Sequence, residues 1–237
     1  MAGVRARARA ELTAEIVRLA RVQMEEQGAA SLSLRAIARE LGMVSSAIYR
    51  YFPSRDELLT RLIIDSYDRL GEAVESADAA VRRRSDFPAR FRAMTHAIRT
   101  WVLDNPADYA LLFGTPVPGY AAPTDTIGPA SRYTVAMVQL VAEMEAAGHA
   151  ANDKVPAPLR RDYARFRARF GVTVSDSMLM KGMSAWANVM GAINLELFGH
   201  LHNVVDTPGA LFEAVIDLQG RQLFMGTAPS RPTSNSA

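Results

Sequence analysis

Between Ser33 and Leu59 the chain reads SLRAIARELGMVSSAIYRYFPSRDELL, and this run restricts the fold more than any other. Leu34, Ile37, Ala38 and Leu41 fall at i, i+3, i+4 and i+7, which is one apolar face of a helix. Ser33 stands where an N-cap hydroxyl can accept a backbone N–H. Gly42 follows the last apolar position, where a left-handed residue ends a helix at low steric cost. A second short helix is predicted a few residues on, with Ala47, Ile48, Tyr51 and Phe52 facing inward. Small side chains at Ala38 and Ala47 let the two helices cross closely. Ser45, Ser46, Tyr49 and Arg50 then face outward, and all four can hydrogen-bond a base edge or a phosphate. The pattern is a helix-turn-helix.

The first seventy or so residues resemble the DNA-binding domain of the TetR family of bacterial transcriptional regulators. The resemblance rests on Ile16 and Ala20, Gly28, Ser33-Leu34-Arg35 with Ile37-Ala38, Leu41-Gly42, Ala47-Ile48-Tyr49, Phe52-Pro53-Ser54-Arg55 and Leu58-Leu59. Val44 departs from the Ser or Thr usual there, so Ser45 is expected to take over the cap of the second helix. Tyr51 stands where the family often has His. The resemblance implies an all-α chain. An N-terminal three-helix DNA-binding domain would be followed by a helical ligand-binding and dimerisation domain.

Charge follows the same division. Residues 1–55 hold nine arginines against five glutamates, a balance of +4 in a chain whose net charge is +2. An arginine-rich head on a near-neutral body suits nucleic-acid binding. Arg5, Arg7 and Arg9 read either as a mobile arm reaching an adjacent groove or as a solvated tail.

The rest of the chain reads as helix. A first helix is predicted from about Thr13 to Gln27, and another from Pro53 to about Ser76. Further helices are predicted over 86–104, 107–113, 129–148, 157–170, 175–203 and 208–225. Prolines and glycines make 114–129 a loop. The expected domains are 1–54 with its basic arm, 55–225, and a disordered tail over 226–237.

In the 175–203 helix Ile193, Leu197 and Leu201 continue an apolar stripe, while Leu179, Met183, Leu195 and Phe198 occupy other faces. A helix apolar on several sides needs covering on more than one of them. Leu211, Phe212, Val215 and Ile216 repeat the theme in the next helix. These seven residues (193, 197, 201, 211, 212, 215 and 216) are predicted to pair with a second copy as a four-helix bundle, the alternative from pattern alone being burial of both helices inside a monomer. The family dimerises through its last two helices. The segment Trp186 to His200 and FGTPVPGY at 113–120 also resemble a C-terminal subclass marked by a Trp-His-Gly signature.

A two-fold dimer would place two recognition helices in successive major grooves of a palindromic operator. Ser45, Ser46 and Arg50 are the candidates for base contact, and Tyr49, Ser33, Arg35 and Arg55 for the phosphate backbone. Trp101, Tyr109, Leu112, Phe113, Met137, Met144, Met178, Trp186 and Met190 are candidates to line a pocket for a small apolar or aromatic effector, or else to form plain core. Arg82-Arg83-Arg84 and the row Arg160, Arg161, Arg165, Arg167 and Arg169 read either as further nucleic-acid patches or, more commonly for such runs, as solvated helix faces.

No cofactor or metal is expected. The chain has no cysteine, and His200 and His202 sit about 200° apart around a helix, which puts one ion out of joint reach. No phosphate loop, nucleophile elbow or HExxH motif occurs, so an enzyme is not expected. Neither a signal peptide nor a membrane span is visible, and a cytoplasmic location is expected. The function expected is a DNA-binding regulator, most simply a homodimeric repressor released by an effector. The alternative is the same regulator controlled by a protein partner.

Overall fold

The computed structural model describes residues 2–224, so the tail expected over 226–237 lies outside the described residues. Ten α-helices and two short 3-10 turns make up the described chain, and no residue of it is in a strand. Packing divides the chain into two compact units, one of residues up to 71 with 101–132 and one of 72–100 with 133 onward. This differs from a boundary at residue 54, which follows the motif and not the packing.

In the first unit α1 (Ala2–Gln27), α2 (Leu34–Glu40), α3 (Ser45–Ile48) and the start of α4 (Arg55–Ala80) surround a single apolar cluster. Ile16, Ala20, Ile37, Ala38, Ile48, Leu58 and Leu59 are at its centre. Gly42 turns the chain between α2 and α3 at φ 64°, a conformation that costs glycine little and an L side chain about 1 kcal/mol or more. Side chains from far along the chain complete the cluster. Ala107 and Leu111 of α6 (Pro106–Phe113), with Val117 and Tyr120 of the following loop, pack against it. Buried Asp108 fixes α6 in place, accepting from Ser66 (2.5 Å), Arg69 (3.2 Å) and Arg21 (3.4 Å).

The second unit holds the end of α4, most of α5 (Phe87–Asp104) and α7 (Ile127–Ala146), and all of α8 (Ala157–Phe170), α9 (Asp176–Leu197) and α10 (Pro208–Phe224). α9 and α10 pack along each other. Buried Arg90 ties the unit together, donating from Nε and Nη2 to Asp78 (2.7 and 3.1 Å) and from Nη1 to Glu143 and the Arg84 carbonyl. By contrast α8 has no buried residue. Its arginines 160, 161, 165 and 169 lie exposed, as the expected solvated face, while Arg167 is half-buried against Asp176.

Two expectations need correction. α1 begins at Ala2 and not near Thr13, so Arg5, Arg7 and Arg9 are neither arm nor tail. Ala, Arg and Glu are strong helix formers, and Arg7 pairs with Glu11 one turn on at 3.0 Å. At the other end α9 stops at Leu197, short of residue 203, and His200 and His202 lie in the turn beyond it. No described helix is long and apolar enough to cross a membrane.

Candidate nucleic-acid interface

α3 presents its outward face as its spacing requires. Ile48 is fully buried and Phe52 nearly so, which anchors the helix and the turn after it to the core. Ser45, Ser46, Tyr49 and Arg50 are all exposed on the opposite side. The cap differs from expectation: Val44 is the N-cap residue, without a side-chain bond, and Ser45 is the first residue of the helix. The Ala47 amide bonds the Val44 carbonyl at 2.8 Å, so the backbone closes the turn without a hydroxyl. Val44 itself is 72% exposed beside the serines, an apolar group among polar ones.

The supporting residues divide into two kinds. Arg35 is exposed on the first turn of α2. Ser33 caps that helix, its hydroxyl accepting from the Ala36 amide at 3.4 Å, while its own amide donates to Gln23 of α1 at 2.8 Å. Arg55 is turned inward. Its Nε donates to the Leu32 carbonyl and its Nη2 to those of Ala29 and Ala30, at 3.2, 3.1 and 2.9 Å. These internal bonds form because the short 3-10 turn Ala29–Ser31 leaves carbonyls that need donors, and they use Nε and Nη2 but not Nη1 of a side chain that stays 30% exposed. Arg9, expected in an arm or a tail, instead braces the site from behind: it donates to the Arg50 carbonyl at 2.9 Å and lies over the Tyr51 ring. The signal was present in the unbroken helix-forming run from Val4 to Gln27, which carries Arg9 on α1.

A buried anchor, four exposed hydrogen-bonding side chains on α3 and the turn after it, and a braced backbone make up the outer face of the helix-turn-helix. Residues 16–62 match the family described as bacterial regulatory proteins, tetR family, and residues 91–218 match the tetracyclin repressor-like C-terminal domain. The chain belongs to the TetR family. It is 44% identical over 218 residues to the HTH-type transcriptional regulator Rv1816 of Mycobacterium tuberculosis and, to the same degree, to Mb1846 of Mycobacterium bovis. Each alignment covers 90% of this chain and 92% of the relative. The crystal structure of SCO4313 superposes with a TM-score of 0.76 at 32% identity, covering 90% of this chain and 97% of that one. A protein of unknown function from Rhodococcus sp. RHA1 shares the fold, with a TM-score of 0.70 at 23% identity over 90% and 95% of the two chains. The chain is thus a transcriptional regulator with a helix-turn-helix, and not an enzyme. The Trp-His-Gly subclass is a finer assignment than the C-terminal match makes.

In this TetR-family regulator the pocket candidates fall into both units. Trp101, Tyr109, Leu112 and Phe113 belong to the first, and Met137, Met144, Met178, Trp186 and Met190 to the second. Tyr109, Met144 and Met178 are packed in the interior, as are Trp101 and Met190, and the Phe113 ring meets that of Tyr67 edge-on at 6.0 Å and that of Tyr109 at 5.0 Å. Met137 and Trp186 line a small cavity of about 20 Å³, room for roughly one water. Leu112 lines a cavity of about 320 Å³.

The predicted dimer stripe also needs correction. Ile193, Leu201, Phe212 and Ile216 are buried within the protomer, because α9 and α10 spend those faces on their own unit. Leu197, Leu211 and Val215 are half-buried. The large apolar side chains that these helices leave exposed are Leu195, Phe198 (just past the end of α9) and Leu218. Helical periodicity placed a stripe on α9 but left open which of its faces turned inward.

Proposed function

We propose that this regulator is a homodimeric repressor that reads a palindromic operator and is released by a small apolar or aromatic effector. The exposed face of α3 and of the turn after it carries the reading: four hydrogen-bonding side chains presented together by a segment whose other side is locked into the core. Ser45, Ser46 and Arg50 reach base edges, with Arg50 able to fork onto guanine. Tyr49, Ser33 and Arg35 hold phosphates and set the register. Val44 adds an apolar contact suited to a thymine methyl group.

Dimerisation through Leu195, Phe198 and Leu218, with Leu211 and Val215 beside them, would relate two such heads by a two-fold axis. Two half-sites about one helical turn apart, or a multiple of it, would follow. Release by an effector follows only where the effector binds the two conformations with different affinity.

Selection from a random duplex pool at near-physiological salt tests this reading. An enriched inverted repeat is expected, and weak binding that only salt modulates would overturn it. On the selected operator Tyr49→Phe should weaken binding to all sequences alike. Arg50→Ala should relax preference at one position by about 1–3 kcal/mol. Uniform loss from both would reverse the division of roles.

A further inference from the structure

The cavity of about 320 Å³ lies wholly within the unit that carries the helix-turn-helix, and its construction sets it apart from the much smaller cavity of the second unit. α6 ends at Phe113, and the Gly114 amide bonds the Ala110 carbonyl at 2.9 Å. A Cβ on Gly114 would stand 2.4 Å from that carbonyl oxygen, so the chain can leave the helix along this path only without a side chain. Residues 115–123 then run as a strap, TPVPGYAAP, stiffened by three prolines. Val117 and Tyr120 anchor the strap on the apolar cluster of the helix-turn-helix. The Tyr120 hydroxyl also lies 2.9 Å from Oγ1 of Thr60 on α4.

Beneath the strap, Ile63 and Tyr67 of α4, Leu112 of α6 and Ala130 of α7 line the cavity together with Val117 and Tyr120. No charged side chain lines it. Its polar groups are the hydroxyls of Tyr67, Tyr120 and Thr126, of which Thr126 donates to the Pro123 carbonyl at 2.8 Å. A hydroxyl that donates keeps acceptor capacity, so this cavity suits a guest with a proton to give. A charged guest would lose its hydration without an opposite charge in return. The volume lies at the small end of the roughly 300–1,000 Å³ usual for ligand sites.

We propose that the pocket under the 115–123 strap binds a neutral, single-ring aromatic ligand carrying one hydroxyl. The proposal rests on the regulator reading and gives its effector a place: the guest sits against the strap that Tyr120 pins to α4, in the same compact unit as the DNA-reading helix.

Titration of the full-length protein with 4-propylphenol, followed by calorimetry, tests it, with 4-propylbenzoate as the charged counterpart. One phenol should bind per chain, and the benzoate at least about tenfold more weakly. Ala130→Leu, which adds bulk to the cavity, should weaken the phenol by at least about tenfold while helicity and melting temperature are retained. Nuclear Overhauser contacts from the bound ring to the Val117 methyl groups locate the site without any variant. Absence of phenol binding, equal binding of the benzoate, undiminished binding to a folded Ala130→Leu, or no contact to Val117 would each overturn the site. Binding at Val117 that leaves operator affinity unchanged would uphold the site and overturn release by this effector. Release that persists undiminished in Ala130→Leu would uphold the effector and overturn the site.

Discussion

The two compact units each contain a buried ionic cluster, and the clusters are built in opposite senses. In the first unit the buried member is a carboxylate: the Asp108 side chain is 7% exposed, while Arg21 and Arg69 around it are 22% and 37% exposed. In the second the buried member is a guanidinium: Arg90 is 2% exposed, Asp78 19% and Glu143 52%. A buried charge left alone costs far more than a surface charge left alone. The residue that matters most in each cluster is therefore the partner that takes most of the buried charge's hydrogen bonds. For Arg90 that partner is Asp78, which takes two of its donors at once. Asp108 shares its charge among two arginines and a serine hydroxyl, so losing any one of them leaves it others.

The largest effect should come from Asp78→Ala. It strands the Arg90 guanidinium against Glu143 and one carbonyl, and about 3–5 kcal/mol of stability should be lost. Arg90→Met removes the buried charge itself and leaves Asp78 beside Arg84 at the surface, so a smaller loss of about 1–3 kcal/mol is expected. In the first unit Asp108→Asn keeps an acceptor for Ser66 and leaves two part-exposed arginines, for about 1–3 kcal/mol. Urea unfolding of the three variants checks the order. An Asp108→Asn loss equal to that of Asp78→Ala would break the contrast between the clusters.

Acid sharpens it. Burial pushes the Asp78 carboxyl up, but hydrogen bonds and charge from Arg90 and Arg84 prevail and hold it below its ordinary 3.8. A carboxyl whose folded value lies below its unfolded one contributes stability fully above the unfolded value. That contribution is lost as pH falls through the folded value. The stability advantage of the wild type over Asp78→Ala should thus be constant above pH 3.8 and shrink below it. A difference that stays level on acidification would remove Asp78 from the acid response.

The same contrast governs what could be read from the sequence. α2 and α3 are short, each has one apolar face, and Ile37, Ala38 and Ile48 are buried where their spacing puts them. α9 is apolar around most of its circumference. Whether Ile193 or Leu195 faced inward was settled by α10, which periodicity within α9 cannot see; Ile193 is buried and Leu195 exposed. Arg55 looked like a surface cation because its three carbonyl partners lie 23 to 26 residues back along the chain. The strap pocket was half legible. Prolines and glycines marked the loop, and Leu112 was among the expected lining residues. Ile63, Tyr67 and Ala130 come from other helices, and no local pattern joins them.

The smallest predicted effect separates packing from recognition at one residue. Ser33 and Ser175 are both N-caps, of α2 in the first unit and α9 in the second, with hydroxyl-to-amide distances of 3.4 and 3.2 Å. As caps alone, each should lose about 0.5–1 kcal/mol on substitution by alanine, with Ser33 at the lower end because its bond is longer. Ser33 differs in belonging to the helix-turn-helix, where it is also proposed to touch a phosphate. Such a contact is uncharged and reads no base, so Ser33→Ala should lower operator affinity by a similar factor on every sequence. It should also leave the salt dependence nearly unchanged, because no cationic group that displaces counterions is lost. Ser175→Ala removes a cap of nearly the same geometry and should leave operator affinity as it was. Titration of both variants against the selected operator and a scrambled duplex decides the matter. Equal operator affinity in the two would reduce Ser33 to its cap, and the phosphate contacts would then rest on Tyr49 and Arg35.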